Sequence, residues 1–511
     1  MPITKPSLVK SGRWPRPSLL AAVAASALSM QAQAQAQVTI TSATSDDTNV
    51  YYAISFTGSP TYRHVFIDVD RNAATGFKTG SLGAEFMIEN NALYAYAGTG
   101  PDWNWKKVPG SIASVITATS ATWTVPMSML NYPSTVYVRA EVTPPMLESA
   151  VAVQVVRSRN PLQQPFASNS IWNTPIGTGA VYVPANLSAA WSGENGWDSM
   201  PQADRDYIFQ APSAPATDVY AQTSSWGADA DRCKFSSTKL ATVPIPADWT
   251  LPNASVPKNN GNDATAALMP DGHTFIQMQP VARCGVGTTM TAQELYNPPV
   301  DLYGPGITGA HGGSGLSAIG GSLRVGELRP NAHPPRHVLK VEVYSAEALS
   351  NCATSRASCF RWPAAKADSD ATTPQVGYGT VANVNNTNAA MRMGALLAIP
   401  AFVDITQLGL ETDPGRQLAW TLQNYGAYIV DSRGPGFTFA TAEGTDGSKL
   451  AEFQNDYGFP FEDYVLHAGT SPWVRDVQRL VKALQVVDNN SATSIGGGGA
   501  PLQPLAPEIA P

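Results

Sequence analysis

The run HGGSGLSAIGGSLRVGELRP, residues 311–330, holds one histidine, six glycines, three serines, two arginines and one glutamate. Those residue types serve phosphate cradles, nucleophile elbows, zinc sites and acid–base pairs, so spacing must choose among them. Gly313-Ser314-Gly315-Leu316-Ser317-Ala318 fits G-x-G-x-x-A, but a dinucleotide fingerprint needs a strand before it and a helix after it, and the following residues read as a strand. No G-x-x-x-x-G-K-[ST] phosphate loop occurs here. His311-Gly312-Gly313 is like the oxyanion loop of lipases, yet no G-x-S-x-G elbow occurs in the chain. His333 and His337 stand four apart, but Pro334 and Pro335 forbid the helical turn that would aim both imidazoles at one zinc.

What survives is a turn followed by a charged strand. Alternation over 322–329 puts Leu323, Val325, Glu327 and Arg329 on one face, with Arg324 on the other. A carboxyl among apolar neighbours is desolvated and its pKa rises, which suits Glu327 to general-acid work. In the next strand, HVLKVEVYS, His337 shares a face with Leu339, Val341 and Val343. An imidazole ending an apolar stripe is also an ordinary core residue. However, His311, Glu327 and His337 fall within one short stretch, and closely connected strands are commonly neighbours. Asp431, at the end of YGAYIVD, offers a second carboxylate; closing the strand-end turn is its alternative role.

These residues suit two chemistries. Glycosidic hydrolysis needs one protonated and one ionised carboxyl, with Glu327 as acid and Asp431 or Asp370 as base or nucleophile. β-Elimination from a uronate polymer needs an arginine against the substrate carboxylate, Arg324 or Arg329, and a base, His337 or Tyr378. Neither requires a cofactor. A third class, a glycan-binding protein without catalysis, fits the same composition.

The elements that must carry such a site are mainly β. Forty-two glycines, 41 prolines and only 14% charged residues, with short runs such as VTITSAT, VYVRAEV and GAYIVDS, favour strands bounded by turns. The expected architecture is an N-terminal β-sandwich followed by a larger β-sandwich or jelly-roll-like unit with a few helices. One helix is expected from Asp413 as N-cap with Pro414 at the first turn, and a second from Ser471 and Pro472.

At the N-terminus, Lys5, Lys10, Arg13 and Arg16 precede an apolar run from Leu19 to Leu28 and small residues at Ala32, Ala34 and Ala36. That is a secretory signal peptide over 1–36, with cleavage expected after Ala34 or Ala36. Its removal takes four positive and no negative charges, so the formal charge moves from −7 to −11. An acidic chain excludes nucleic acid as the natural partner, and no later apolar run suits a membrane span. The expected location is extracellular or periplasmic, and the expected partner a polysaccharide. Cys233, Cys284, Cys352 and Cys359 then read as two disulfides, with Cys352–Cys359 closing CATSRASC and Cys233–Cys284 following by proximity.

The remaining chain divides at 38–157, 160–488 and a flexible tail, 489–511. In the first unit, FIDVDRNAATGF, GAEFMIENNALYAYAG and DWNWKK resemble, in order, β-sandwich carbohydrate-binding modules of the family-nine-like kind. The resemblance implies a sugar-docking role and a structural calcium. Asp68 and Asp70 are hard oxygen donors at one strand end, or else caps of the NAATG turn. Trp103 and Trp105 alternate with Asn104 and so share a face, for sugar stacking or for the core. In the second unit, SIWNTPIG, HGGSGLSAIGGSLRVGEL, MGALLAIP and YGAYIVD are similar to a family of secreted bacterial proteins of unknown activity.

Overall fold

The computed structural model describes residues 37–509, apart from 46–48, 71, 131–132, 134, 150–152, 157–158, 188–200, 225, 227–229, 252–261, 288, 331, 435 and 464–470. The signal peptide expected over 1–36 lies outside the described residues. The fold is mainly β with few helices.

Residues 38–156 build two main antiparallel sheets and a small two-stranded one, Phe77–Thr79 with Leu82–Ala84. Four strands, Val38–Ser45, Asn49–Phe56, Ser120–Pro126 and Ala113–Ile116, form one. Seven form the other, with Thr135–Thr143, Tyr62–Asp68 and Phe86–Glu89 at its centre. Period-two alternation explains the pairing of the sheets. In NVYYAISF the buried positions are Val50, Tyr52, Ile54 and Phe56, and they meet Val65, Ile67, Ile88 and Val138 from the opposing sheet in one core.

The larger unit gathers its strands into one 13-stranded mixed sheet. Its middle four strands run in the order Ala427–Ser432, Leu339–Val343, Phe437–Gly444, Pro201–Phe209. The first two are parallel, with Glu342 opposite Asp431, and the last two are parallel, with Asp204 opposite Ala440. One face of these strands is apolar: Leu339, Val341, Val343, Phe437, Phe439, Ala203 and Ile429 join the main core beneath two helices. The helix Asp413–Asn424 is capped by Thr412, whose side chain accepts from the Gly415 amide, one residue earlier than expected. The helix Pro472–Ala483 is capped by Ser471 as expected and buries Trp473, Val477, Leu480 and Val481.

Two expectations fail. Residues 322–329 are not a strand: only Leu323 bridges to Thr441, and the chain then turns, with Glu327 N–H donating to Arg324 O at 3.2 Å. The Glu327 carboxylate accepts from the Arg324 amide at 2.7 Å, so the side chain takes a donor that a ladder would have used. The tail from 489 is packed rather than flexible through its first half. Gly177 and Gly179 donate to the carbonyls of Gly496 and Gly498, and Pro501 bridges to Gly177. A β-carbon on Gly177 would lie 2.0 Å from Gly498 O, so glycine lets the two backbones meet.

Cys233–Cys284 and Cys352–Cys359 are both disulfides, closing 51 and 7 residues. Among the described residues no helix is long and apolar enough to cross a membrane. Because the loop-closure term grows with loop length, replacing the Cys233–Cys284 pair by alanines should cost about 2 kcal/mol more than replacing Cys352–Cys359. Guanidinium unfolding of the two double variants measures the difference, and equal losses would contradict it.

Candidate functional site

The face of the central strands opposite the core is charged and yet buried. Asp204 and Asp206 alternate in one strand, Lys340 and Glu342 in another two places away, and all four are less than a tenth exposed. The strand between them offers Thr438 and Ala440 on this side, so short side chains leave room for the longer ones to meet above it. Lys340 Nζ lies 2.9 Å from Asp206 Oδ2 and donates to Ser317 O at 2.9 Å. Ser322 Oγ donates to Asp206 Oδ2 at 2.7 Å, and His311 Nε2 lies 3.0 Å from Asp206 Oδ1. Burial would raise the Asp206 pKa, but Lys340 and His311 together hold it below the usual carboxylate value. Burial and Lys340 would lower that of His311, but Asp206 and Asp431 raise it.

The glycine-rich run lies directly over this face, which explains its composition. A β-carbon on Gly321, at φ +81°, would fall 2.6 Å from Lys340 Cγ, and one on Gly313 would fall 2.5 Å from Asp431 Oδ1. No larger residue fits at either place.

Beside it opens a cleft of about 570 Å³, lined in part by Trp226, Glu294, Arg356, Lys366, Asp368, Asp370, Asp431 and Arg433. It lies beyond the carboxyl ends of the parallel strands Leu339–Val343 and Ala427–Ser432, through Tyr344, Ser345, Asp431 and Ser432, the usual place for a site in such sheets. The Cys352–Cys359 disulfide closes the turn that carries Arg356, whose Nε donates to Ala367 O at 3.0 Å next to Asp368.

Two carboxylates meet across Gly313. Its missing β-carbon would sit 2.5 Å from Asp431 Oδ1 and 3.1 Å from Asp368 Oδ2, so those oxygens lie no farther apart than the sum of the two. Burial, and next the charge of Asp431, push the Asp368 pKa up to about 7, while the Tyr378 hydroxyl, donating to Asp368 Oδ2 at 2.5 Å, opposes the rise. Behind them, burial and the neighbouring charges of Asp204 and Asp431 raise Glu342 well above its ordinary value. Burial and Asp204 push Asp263 up to about 8.

Of the residues expected from sequence, His311 and Asp431 come together, with Nδ1 and Oδ2 3.9 Å apart, and Asp370 lines the same cleft. The others do not join them. Glu327 and His337 do converge, at 2.9 Å, but as a pair of buried imidazole and half-buried carboxylate that does not line the cleft. Burial alone would raise Glu327, yet His337, the Arg324 amide and the Arg324 charge lower it, the reverse of the expected general acid. Arg324 is buried and donates to Ile319 O at 2.9 Å. Arg329 binds Asp456 on the surface at 2.7 and 2.8 Å. Tyr378 is buried and positions Asp368 rather than lining the cleft. Asp204, Asp206, Lys340, Glu342, Asp368 and Arg433 were not anticipated. The signals for four of them were ADRDY and LKVEV, charges at alternate positions within strands too apolar to face water.

In the N-terminal sandwich, Trp103 and Trp105 do not share one strand; Trp103 precedes Trp105–Lys107. Both rings nevertheless join one aromatic cluster with Phe66 and Phe77, their centroids 6.0 Å apart. Trp105 packs on a small core, whereas Trp103 is 54% exposed. Asp68, Asp70 and Glu85 each bring a ligand atom within 4.8 Å of the others, while Asp70 also caps its turn through Asn72 N and Thr75 Oγ1.

No known protein-family model matches the chain, and no curated protein matches it.

The Glu327–His337 pair is thus structural, and its signs fix its pH window. The raised His337 contributes fully below the unfolded histidine value and loses that as pH climbs through its folded value. The lowered Glu327 contributes above the unfolded glutamate value and loses that as pH falls through its folded one. Glu327→Ala should therefore cost about 3 kcal/mol, most of it visible between roughly pH 4.5 and 6.5. Urea unfolding across that range checks it, and a flat, small difference would contradict it.

Proposed function

We propose that this chain is an exported polysaccharide-degrading enzyme, a glycoside hydrolase whose N-terminal sandwich docks the glycan. The observation that supports it best is the Asp368–Asp431 pair facing one cleft across Gly313. Asp368, with its proton retained near neutral pH, gives that proton to the glycosidic oxygen as the bond to the anomeric carbon breaks. Asp431 attacks that carbon, and water, deprotonated by Asp368, then releases the sugar and frees Asp431. The separation bounded at Gly313 falls short of the roughly 6.5 Å at which inverting pairs begin, which favours retention over inversion. Trp226 supplies a flat face in the cleft for a pyranose ring.

In the N-terminal unit the exposed ring of Trp103 offers a second such face. The oxygens of Asp68, Asp70 and Glu85 suit the calcium that the carbohydrate-module resemblance implies.

Arg356, Lys366 and Arg433 on the cleft wall favour one other reading, elimination from a uronate polymer, because they match a substrate carboxylate. Digestion of neutral and uronate polysaccharides, followed by reducing-end and ultraviolet assays, separates the two. New reducing ends without ultraviolet-absorbing products are expected. Unsaturated ends would replace hydrolysis by elimination, and no product on any glycan that the protein binds would leave a binding protein.

Asp368→Asn should lower kcat by about 10²–10⁴-fold in a folded protein, and wild-type kcat should fall as pH rises past about 7, where Asp368 loses its proton. A variant with full turnover would exclude Asp368 as the acid. Trp103→Ala should weaken retention on an insoluble glycan about tenfold with kcat on a soluble one unchanged; undiminished retention would remove Trp103 from the docking face.

A further inference from the structure

Behind the cleft wall formed by Gly312, Asp431 and Arg433, the charged face holds a set of donors that the hydrolytic reading does not use. Asp204, His311 and Glu342 each place one ligand atom within 4.8 Å of the others, and all three are buried, His311 completely. That spread is little more than two metal–ligand bonds of about 2.0–2.2 Å, so small side-chain rotations bring all three onto one ion.

A cluster of acids alone would mean little; the histidine supplies the second observation. Its Nε2 is taken by Asp206 at 3.0 Å, while its Nδ1 is buried and has no hydrogen-bond partner among the described residues. The nearest carboxylate oxygen across from Nδ1, on Asp431, is 3.9 Å away, too far for a hydrogen bond. A buried ring nitrogen left bare costs free energy unless something accepts its lone pair.

The surroundings have the form that metal-binding histidines require. The ring's other nitrogen faces a carboxylate, which fixes its orientation, and that carboxylate is itself held by Lys340 at 2.9 Å and by Ser322 at 2.7 Å. Asp204 is braced by Arg433 Nη1 at 3.2 Å. On the cleft side stand Gly312 and Gly313, where a β-carbon would already meet Gln279 Oε1 at 3.0 Å and Asp431 Oδ1 at 2.5 Å, so the run covers this face as bare backbone. One imidazole with carboxylate oxygens is too rich in nitrogen for an oxygen-only calcium cage. It lacks the thiolate that marks a soft site.

We propose that Asp204, His311 and Glu342 bind one divalent first-row cation, Mn²⁺ or Zn²⁺, with Asp206 and Lys340 orienting the histidine. This binding does not depend on the reaction assigned to the cleft.

The test uses the full chain, stripped with a chelator and dialysed against Mn²⁺ or Zn²⁺, with metal content and calorimetric titration as readouts. One ion per chain is expected at this site, lost in Glu342→Gln and weakened about tenfold in Asp206→Asn. Near-UV circular dichroism shows whether each variant is folded. Asp70→Asn serves as the control for the acidic cluster of the N-terminal sandwich, and it should leave this uptake unchanged. Should Glu342→Gln fail to fold, X-ray absorption at the zinc edge of the wild type decides, because of the two carboxylate clusters among the described residues only this one includes an imidazole. An imidazole ligand supports the site, and an oxygen-only shell overturns it. Absence of stoichiometric uptake by the folded wild type, or uptake abolished by Asp70→Asn and untouched by Glu342→Gln, would also overturn it.

Discussion

The contact between Lys340 and Asp206, 2.9 Å long and fully shielded from water, is the constraint on which the charged half of this molecule depends. Two charges taken out of water are tolerated only if every remaining lone pair and proton is satisfied. Here Ser322 and His311 complete the carboxylate, and Ser317 O takes a second ammonium proton. Three of those partners belong to the glycine-rich run. The ion pair therefore ties the run to the sheet, and the run keeps water from the ion pair.

From that arrangement follow the two faces of the central strands. Valines, leucines and phenylalanines from alternate positions fill the core under the helices, as ordinary hydrophobic burial requires. The intervening positions carry the charges, and they remain dry only because a backbone almost without side chains can lie flat upon them. Gly313 and Gly321 are required by this close approach, and neither makes a phosphate cradle or a nucleophile elbow. The cleft opens where the covering ends, beyond the strand termini, and so Asp368 and Asp431 on its wall are only partly buried while the carboxylates behind them are sealed.

Sequence reasoning reached part of this site. His311 and Asp431 were singled out from residue type and strand-end position, and both stand in it. Glu327 and His337 do meet, but as a hydrogen-bonded pair away from the cleft. Whether an acid and an imidazole form a reactive pair or a structural one depends on what else can reach them. Strand alternation carries no information about that. Asp204, Asp206, Lys340 and Glu342 lay within legible alternating patterns, yet nothing local separates a charged position facing solvent from one facing a covering loop. Asp368 sits on an irregular loop, where no periodicity exists to read.

By itself the sequence determined the mainly β composition, the alternation that sorts the N-terminal strands into a sandwich, the starts of the two long helices to within one residue and the cysteine pairing. Each is set by interactions within a few residues or by a small number of possible partners. Tertiary structure alone decided that the strands of the larger unit merge into one mixed sheet, that residues 322–329 turn instead of extending, and which carboxylates share a cleft. The sheet and the cleft depend on contacts between segments separated by scores to hundreds of residues, and the turn on a side chain competing with a ladder for the Arg324 amide. The energy of placing a charge there is fixed by the neighbours it meets and by the water it loses.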